Sequence, residues 1–184
     1  MLVYKLFENF KVSLDPEILE QKFTSTKNVF SDGTTHPFWQ YFNTKIFFSR
    51  NLYINFKSEC EEVIDNLIMY QKNIAPGQNN LLDIFLKSPL NPLRVTIMKI
   101  LPSDDVKPHI DVTRNLALNI GLKNSNKWTT IVSNTTIISE FDNHTQEKYI
   151  LNDGDGYLVN IKKVHKVLRN SYVNTSRYVI SYNF

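Results

Sequence analysis

Two segments far apart in this chain alternate so regularly that their secondary structure is nearly forced. In Arg177–Phe184, Tyr178, Ile180, Tyr182 and Phe184 are bulky and apolar, whereas Arg177, Val179, Ser181 and Asn183 form a mixed, mostly polar set. In Arg114–Leu122, Leu116, Leu118, Ile120 and Leu122 are apolar, and Asn115, Ala117, Asn119 and Gly121 are small or polar. A period of two marks a β-strand. A strand patterned on both faces packs its bulky face against a covering layer and turns the other toward a cavity. Arg177, Ser181 and Asn119 share the cavity parity. Both segments lie after Pro92, where the texture becomes short apolar runs separated by turn residues. The candidate strands are Arg94–Leu101, His109–Val112, Arg114–Leu122, Trp128–Ser139, Lys148–Leu151, Gly156–Asn160, Val164–Leu168 and Arg177–Phe184. About eight short strands of this kind fit a double-sheet jelly roll better than a parallel α/β sheet.

The first ninety residues read differently. Residues 2–13 alternate loosely and suit a strand, and Asp15-Pro16 opens a short helix running to about Phe23. A turn is expected at Ser31-Asp32-Gly33, and Pro37 begins a helical turn in the aromatic-rich His36–Phe42 stretch. Ser58–Lys72 is the clearest helix, with Ser58 as cap, Glu61 three residues on, and Val63, Leu67 and Met69–Tyr70 at helical spacing. A short helix follows over Leu81–Leu86. With no linker or repeat in view, residues 1–184 read as one α+β domain: a mostly helical support over 1–90, packed outside a jelly-roll core over 91–184.

Composition narrows the partners. The chain has 184 residues, 42% hydrophobic and 12% aromatic, which suits a globular domain with a sizeable core. A net charge of +3 with scattered lysines is too mild to imply a nucleic-acid partner. Cys60 is the single cysteine, which rules out an intramolecular disulfide and a cysteine-based zinc site. The N-terminus has no signal-peptide pattern and no run is long enough for a membrane span, so the chain reads as soluble and cytoplasmic. Oligomeric state is not legible.

The chemistry gathers at Lys107-Pro108-His109-Ile110-Asp111. In an extended strand His109 and Asp111 project to one side. With His165 near the far end of the chain, they make two imidazoles and one carboxylate, a set that leaves opposite coordination positions open and suits non-haem Fe(II). Arg177 stands one strand beyond His165. The segments MKILPSDDVKPHID and GDGYLVNIKKVHKVLRNSYVNTSRYVISYNF resemble the Fe(II)/2-oxoglutarate-dependent dioxygenases, most closely the aspartyl/asparaginyl β-hydroxylase-like branch. The resemblance spans Arg94 to Phe184, about half the chain.

It implies a cupin-like double-stranded β-helix, iron on His109, Asp111 and His165, and 2-oxoglutarate and O2 at the open positions. It further implies Arg177 on the distal carboxylate of 2-oxoglutarate, since a guanidinium matches a carboxylate bidentately. Ser181 and Asn119 are candidates for further co-substrate contacts and Arg114 for a substrate carboxylate. Arg169 and Asn170, soon after His165, are weaker candidates. The activity implied is hydroxylation of an amino-acid side chain, free or in a peptide, with decarboxylation of 2-oxoglutarate to succinate. Two rivals stand beside it: a cupin-type metal enzyme that does not use 2-oxoglutarate, and a non-catalytic jelly-roll binding protein. His144, in a polar hairpin loop, reads as a decoy. Asp153-Gly154-Asp155-Gly156 reads as a tight turn, not a calcium loop.

Overall fold

Strand β10 (Arg177–Asn183) lies inside a six-stranded sheet and is hydrogen-bonded along both edges, to β3 (Val95–Ile100) and β5 (Ala117–Lys123). In this computed structural model, which describes residues 1–18, 45–48, 50–77, 79–102 and 105–184, the sheet also contains β1 (Val3–Phe7), β2 (Lys45–Phe48) and β8 (Gly156–Val159). Its order is β1-β8-β5-β10-β3-β2. A second sheet, in the order β4-β9-β6-β7, comprises β4 (Val106–His109), β6 (Trp128–Ser133), β7 (Gln146–Ile150) and β9 (His165–Arg169). Every pairing between these strands is antiparallel. Helices α1 (Arg50–Asn55), α2 (Lys57–Asn73) and α3 (Asn80–Lys87) precede most of the strands. The protein is thus mainly β, two antiparallel sheets with helices on the outside. No described helix is long and apolar enough to cross a membrane.

The alternation of β10 and β5 explains the layering. Tyr178, Ile180, Tyr182, Leu116, Leu118 and Ile120 join Leu52, Cys60, Val63, Leu67, Leu82 and Phe85 from the helices in one buried cluster. Fully burying each such leucine or isoleucine contributes about 1.5–3 kcal/mol. The other parity faces the second sheet, where Val179 and Ala117 pack with Val132, Leu151 and Val159.

Several sequence expectations shift. The strand expected over His109–Val112 is β4, which ends at His109 instead of starting there; beyond it the Asp111 N–H donates to the Ile161 carbonyl at 3.1 Å and the Lys162 ammonium to the Val112 carbonyl at 2.7 Å. The strand expected to reach Ser139 stops at Ser133. Backbone bonds continue past it, from the Asn134 N–H to the Thr145 carbonyl and from the Val164 N–H to the Thr135 carbonyl, while the Ser133 hydroxyl donates to the Phe141 carbonyl (2.7 Å) and Thr135 Oγ1 accepts the Ile137 N–H ahead of a 3-10 turn over Ile138–Asn143. Helix α2 begins at Lys57 without a side-chain cap; Ser58 is inside it and donates to its neighbour Glu59. Met69 is exposed. The cap that does form is Asn79, whose Oδ1 accepts the N–H groups of Leu81 and Leu82 at 2.9 Å to start α3. At the Asp153 turn, that carboxylate accepts the N–H groups of Asn124 and Ser125, and Gly154 sits at φ +85°. The first ninety residues supply strands β1 and β2 as well as helices. The helix expected from Asp15-Pro16 starts at Pro16, with Asp15 Oδ1 accepting the Glu17 and Ile18 N–H groups, and its part beyond Ile18, the Ser31–Gly33 turn and the His36–Phe42 stretch lie beyond the described residues.

Gly156 opens β8 against Phe7 of β1, and a Cβ there would lie 2.3 Å from the Phe7 ring. Gly156→Ala is therefore expected to lower unfolding free energy by about 1–3 kcal/mol in urea titrations, with partial recovery when combined with Phe7→Leu. Cys60 is fully buried, and burial pushes its thiol up to about 12, with Glu59 and Glu61 adding to the shift. Its reaction with a water-soluble disulfide reagent at neutral pH should follow global unfolding; rapid labelling of the native protein would contradict the packing around α2.

Candidate metal and anion site

The pairing of β4 with β9 sets His109 directly opposite His165, with ring centroids 4.2 Å apart. Each ring is oriented by the chain just before it: Nδ1 of His109 lies 2.9 Å from the Lys107 carbonyl, and Nδ1 of His165 lies 3.0 Å from the Lys163 carbonyl. A carbonyl only accepts, so both Nδ1 atoms carry the proton and both Nε2 lone pairs face away from the backbone. This is the outer-shell arrangement that fixes the tautomer of a metal-binding histidine. Asp111 Oδ2 lies 3.8 Å from His165 Nε2. One ligand atom from each of His109, Asp111 and His165 falls within 4.8 Å of the others. Two imidazole nitrogens and a carboxylate oxygen fit a non-haem Fe(II) site with open positions. His165 is buried, while the Asp111 side chain is 37% exposed, so the group sits where the cavity meets solvent.

That cavity lies between the sheets, and Asn119, Ser181, Arg177 and Arg114 line it together with the three residues above. These seven residues read from the sequence therefore border one space. Asn119 and Ser181 are register partners on β5 and β10. Arg177 is only 3% exposed, its Nε has no hydrogen-bond partner, and no carboxylate pairs with it among the described residues. Burial pulls its pKa down to about 10, with the Tyr149 hydroxyl and the Asp153 carboxylate opposing the shift. It still carries its charge at neutral pH. A buried charge without a partner costs several kcal/mol, so this end of the cavity is built for an anion. Asn119 Oδ1 is likewise buried without a partner, and its Nδ2 faces the Tyr149 hydroxyl at 3.4 Å. Turned over, that amide would accept from Tyr149 and present its N–H donors to the cavity.

The weaker candidates lie elsewhere. Arg169 donates to the Pro102 carbonyl and pairs with Asp105 at 3.4 Å, and Asn170 bonds Thr129 and the Asn126 carbonyl. His144 is exposed and pairs with Glu140. Sequence reading missed Tyr149, and also Thr130, a buried residue that lines the cavity from β6. The period-two run of Trp128, Thr130 and Val132 was the available signal for Thr130. Tyr149 carries none, because its role comes from β7 closing against β6.

No protein-family model matches the chain, and no curated protein matches it. Solved structures do. The α-ketoglutarate-dependent non-haem epimerase SnoN from nogalamycin biosynthesis superposes with a TM-score of 0.50 at 11% identity, over 91% of this chain and 72% of that one. The ribosomal oxygenase YcfD from Escherichia coli gives a TM-score of 0.34 at 18% identity over 49% of this chain. Oxalate oxidase gives 0.36 at 17% over 50%. The chain spans 22% of the length of YcfD and 43% of that of oxalate oxidase. What the SnoN likeness establishes is the fold, a double-stranded β-helix of the cupin and jelly-roll kind.

The geometry predicts one divalent metal per chain. Purified protein titrated with Mn(II) and followed by electron paramagnetic resonance should bind at a single site, and His165→Ala should weaken it by at least about 100-fold, beyond what loss of an outer-shell partner costs. Equal affinity in wild type and a His109→Ala/His165→Ala double variant would remove the site.

Proposed function

We propose that this protein is an Fe(II)- and 2-oxoglutarate-dependent dioxygenase that hydroxylates an amino-acid side chain. The observation that carries the reading is the buried guanidinium of Arg177, its Nε without a hydrogen-bond partner and no carboxylate in ion-pair contact among the described residues, in the same cavity as His109, Asp111 and His165. A metal group alone would suit a cupin-type enzyme without 2-oxoglutarate; a desolvated cation beyond it calls for an acidic co-substrate. In this reading residues 1–184 act as one unit, with 1–90 supporting the catalytic roll over 91–184.

The overall reaction balances as substrate C–H plus O2 plus 2-oxoglutarate giving substrate C–OH, succinate and CO2. The two Nε2 atoms and the Asp111 carboxylate would hold Fe(II), which when bound supplies the activation of O2. Arg177 orients the co-substrate by pairing bidentately with its distal carboxylate. Ser181 Oγ and the Asn119 amide offer further hydrogen bonds on the neighbouring strand positions. The apolar walls, Met98, Ile100, Val106, Val159, Val167 and Val179, exclude water and strengthen each of these interactions. Support for side-chain hydroxylation comes from the likeness of two segments to the aspartyl/asparaginyl β-hydroxylases; the likeness to SnoN carries the fold and adds nothing to that finer point.

Arg177→Ala separates the reading from its rivals. Leaving a carboxylate desolvated and unpaired should cost about 2–5 kcal/mol of 2-oxoglutarate affinity, on the order of thirtyfold to several thousandfold. Arg177→Lys should recover part of this, keeping the charge but losing the planar fork. Metal affinity should stay unchanged, as Arg177 is no ligand. The measurement is anaerobic calorimetric titration of 2-oxoglutarate into metal-loaded protein. A loss of less than about threefold in Arg177→Ala, under 1 kcal/mol, would make the arginine structural.

A further inference from the structure

The cavity is small and its mouth is basic, and together these features bear on what reaches the metal. Its volume is about 90 Å³, whereas pockets that enclose small organic ligands run to about 300–1,000 Å³. With 2-oxoglutarate on Arg177 little space is left, so the bulk of a substrate has to lie across the mouth and send in one group. Three exposed cations lie on its lining or bond the chain next to it. Arg114 lines the cavity itself. Lys162, from the turn between β8 and β9, donates to the carbonyl of Val112, the residue after Asp111, at 2.7 Å. Arg94 donates to the carbonyl of Asn183, a lining residue at the end of β10, at 3.4 Å. None of the three has a carboxylate partner among the described residues. Among the described residues Asp111 is the sole carboxylate lining the cavity, and the metal would take it. A mouth bearing one sign of charge raises the local concentration of the opposite sign and speeds its encounter.

We propose that the substrate is an acidic segment of a polypeptide, which lays its carboxylates on Arg114, Lys162 and Arg94 while one side chain enters toward His109, Asp111 and His165. This rests on the oxygenase reading above and adds to it the class of substrate. Cations contributed by three separate segments suit several carboxylates on an extended chain better than one carboxylate on a small acid. A single-stranded nucleic acid also carries spaced anions, but binding it usually draws on aromatic platforms for its bases. No Phe, Tyr or Trp lines this cavity among the described residues.

The test is fluorescence anisotropy of a labelled Asp- and Glu-rich peptide with a central Asn, titrated with the full chain in the presence and absence of Mn(II) and 2-oxoglutarate. Binding should weaken with salt as the Debye length shortens. It should also weaken about tenfold in Arg114→Glu, a change at a solvent-facing charge. A Lys162→Ala/Arg94→Ala variant provides the same reading should Arg114→Glu not fold. An uncharged peptide of equal length should fail to compete. The proposal is overturned if the acidic peptide does not bind, if neither variant changes its affinity, or if free glutamate displaces it as well as unlabelled peptide does, which would point to a small acid. Displacement by oligothymidylate at lower concentration than by the acidic peptide overturns it in favour of nucleic acid. Mn(II) and 2-oxoglutarate affinities measured on the same samples keep the two readings apart. Both ligands binding without the peptide defeats the substrate class alone, and the peptide binding without them defeats the oxygenase alone.

Discussion

Covering β10 on both faces and pairing it on both edges leaves its side chains two environments, neither of them water. Tyr178, Ile180 and Tyr182 go to the helices; Arg177, Val179, Ser181 and Asn183 go between the sheets. Because side chains alternate strictly along a strand, a slip of one residue would turn Arg177 toward the apolar helix side of the sheet and send three bulky groups into the cavity. The register with β3 and β5 is therefore held by the same pattern that aims the arginine. That parity is what couples the stability of the fold to the chemistry of the site: the residues that make the strand stick are those that leave its other face free to be polar.

The opposite wall is held differently. On β4 and β9 the two histidines are matched across the ladder, and backbone carbonyls two residues upstream orient both rings, so no additional side chain is needed to set the tautomers. Asp111 is outside the ladder, on a backbone tied to Ile161 by one hydrogen bond. The two imidazoles are thus fixed by the sheet, while the carboxylate rides on a turn open to solvent. A site in which the anionic ligand is partly exposed gains from a cation more than a buried site would, because the carboxylate has little desolvation to overcome.

Much of this was legible in the sequence, and the parts that were not share a cause. Periodicity identified the eight β segments and the two-faced strands because burial on each face selects residue type at every second position. Strand ends failed where polar side chains tie the chain into a turn, as at Ser133 and Thr135, and where the ligand strand terminated at His109. The cap expected at Ser58 failed because the helix starts one residue earlier, before Ser58 can play that part, whereas the real cap at Asn79 went unread. The site residues His109, Asp111, His165, Arg177, Ser181, Asn119 and Arg114 come to one cavity. Tyr149 could not be found that way: it reaches Asn119 only through the pairing of β7 with β6, a contact across the fold with no local signal.

A double-stranded β-helix hosts many chemistries, so the fold shared with SnoN cannot choose among them. The choice rests on charge. A metal group at the mouth and a bare guanidinium at the far end of the same β10 face define a cavity with two electrostatic demands, a divalent cation beside Asp111 and an anion beside Arg177. A single neutral ligand meets neither. A dicarboxylate that binds the metal through one end and the arginine through the other answers the second demand directly, and the first by joining the coordination of the ion. Ionic complementarity along one strand, more than likeness to any other protein, is what makes an acidic co-substrate the economical reading of this cavity.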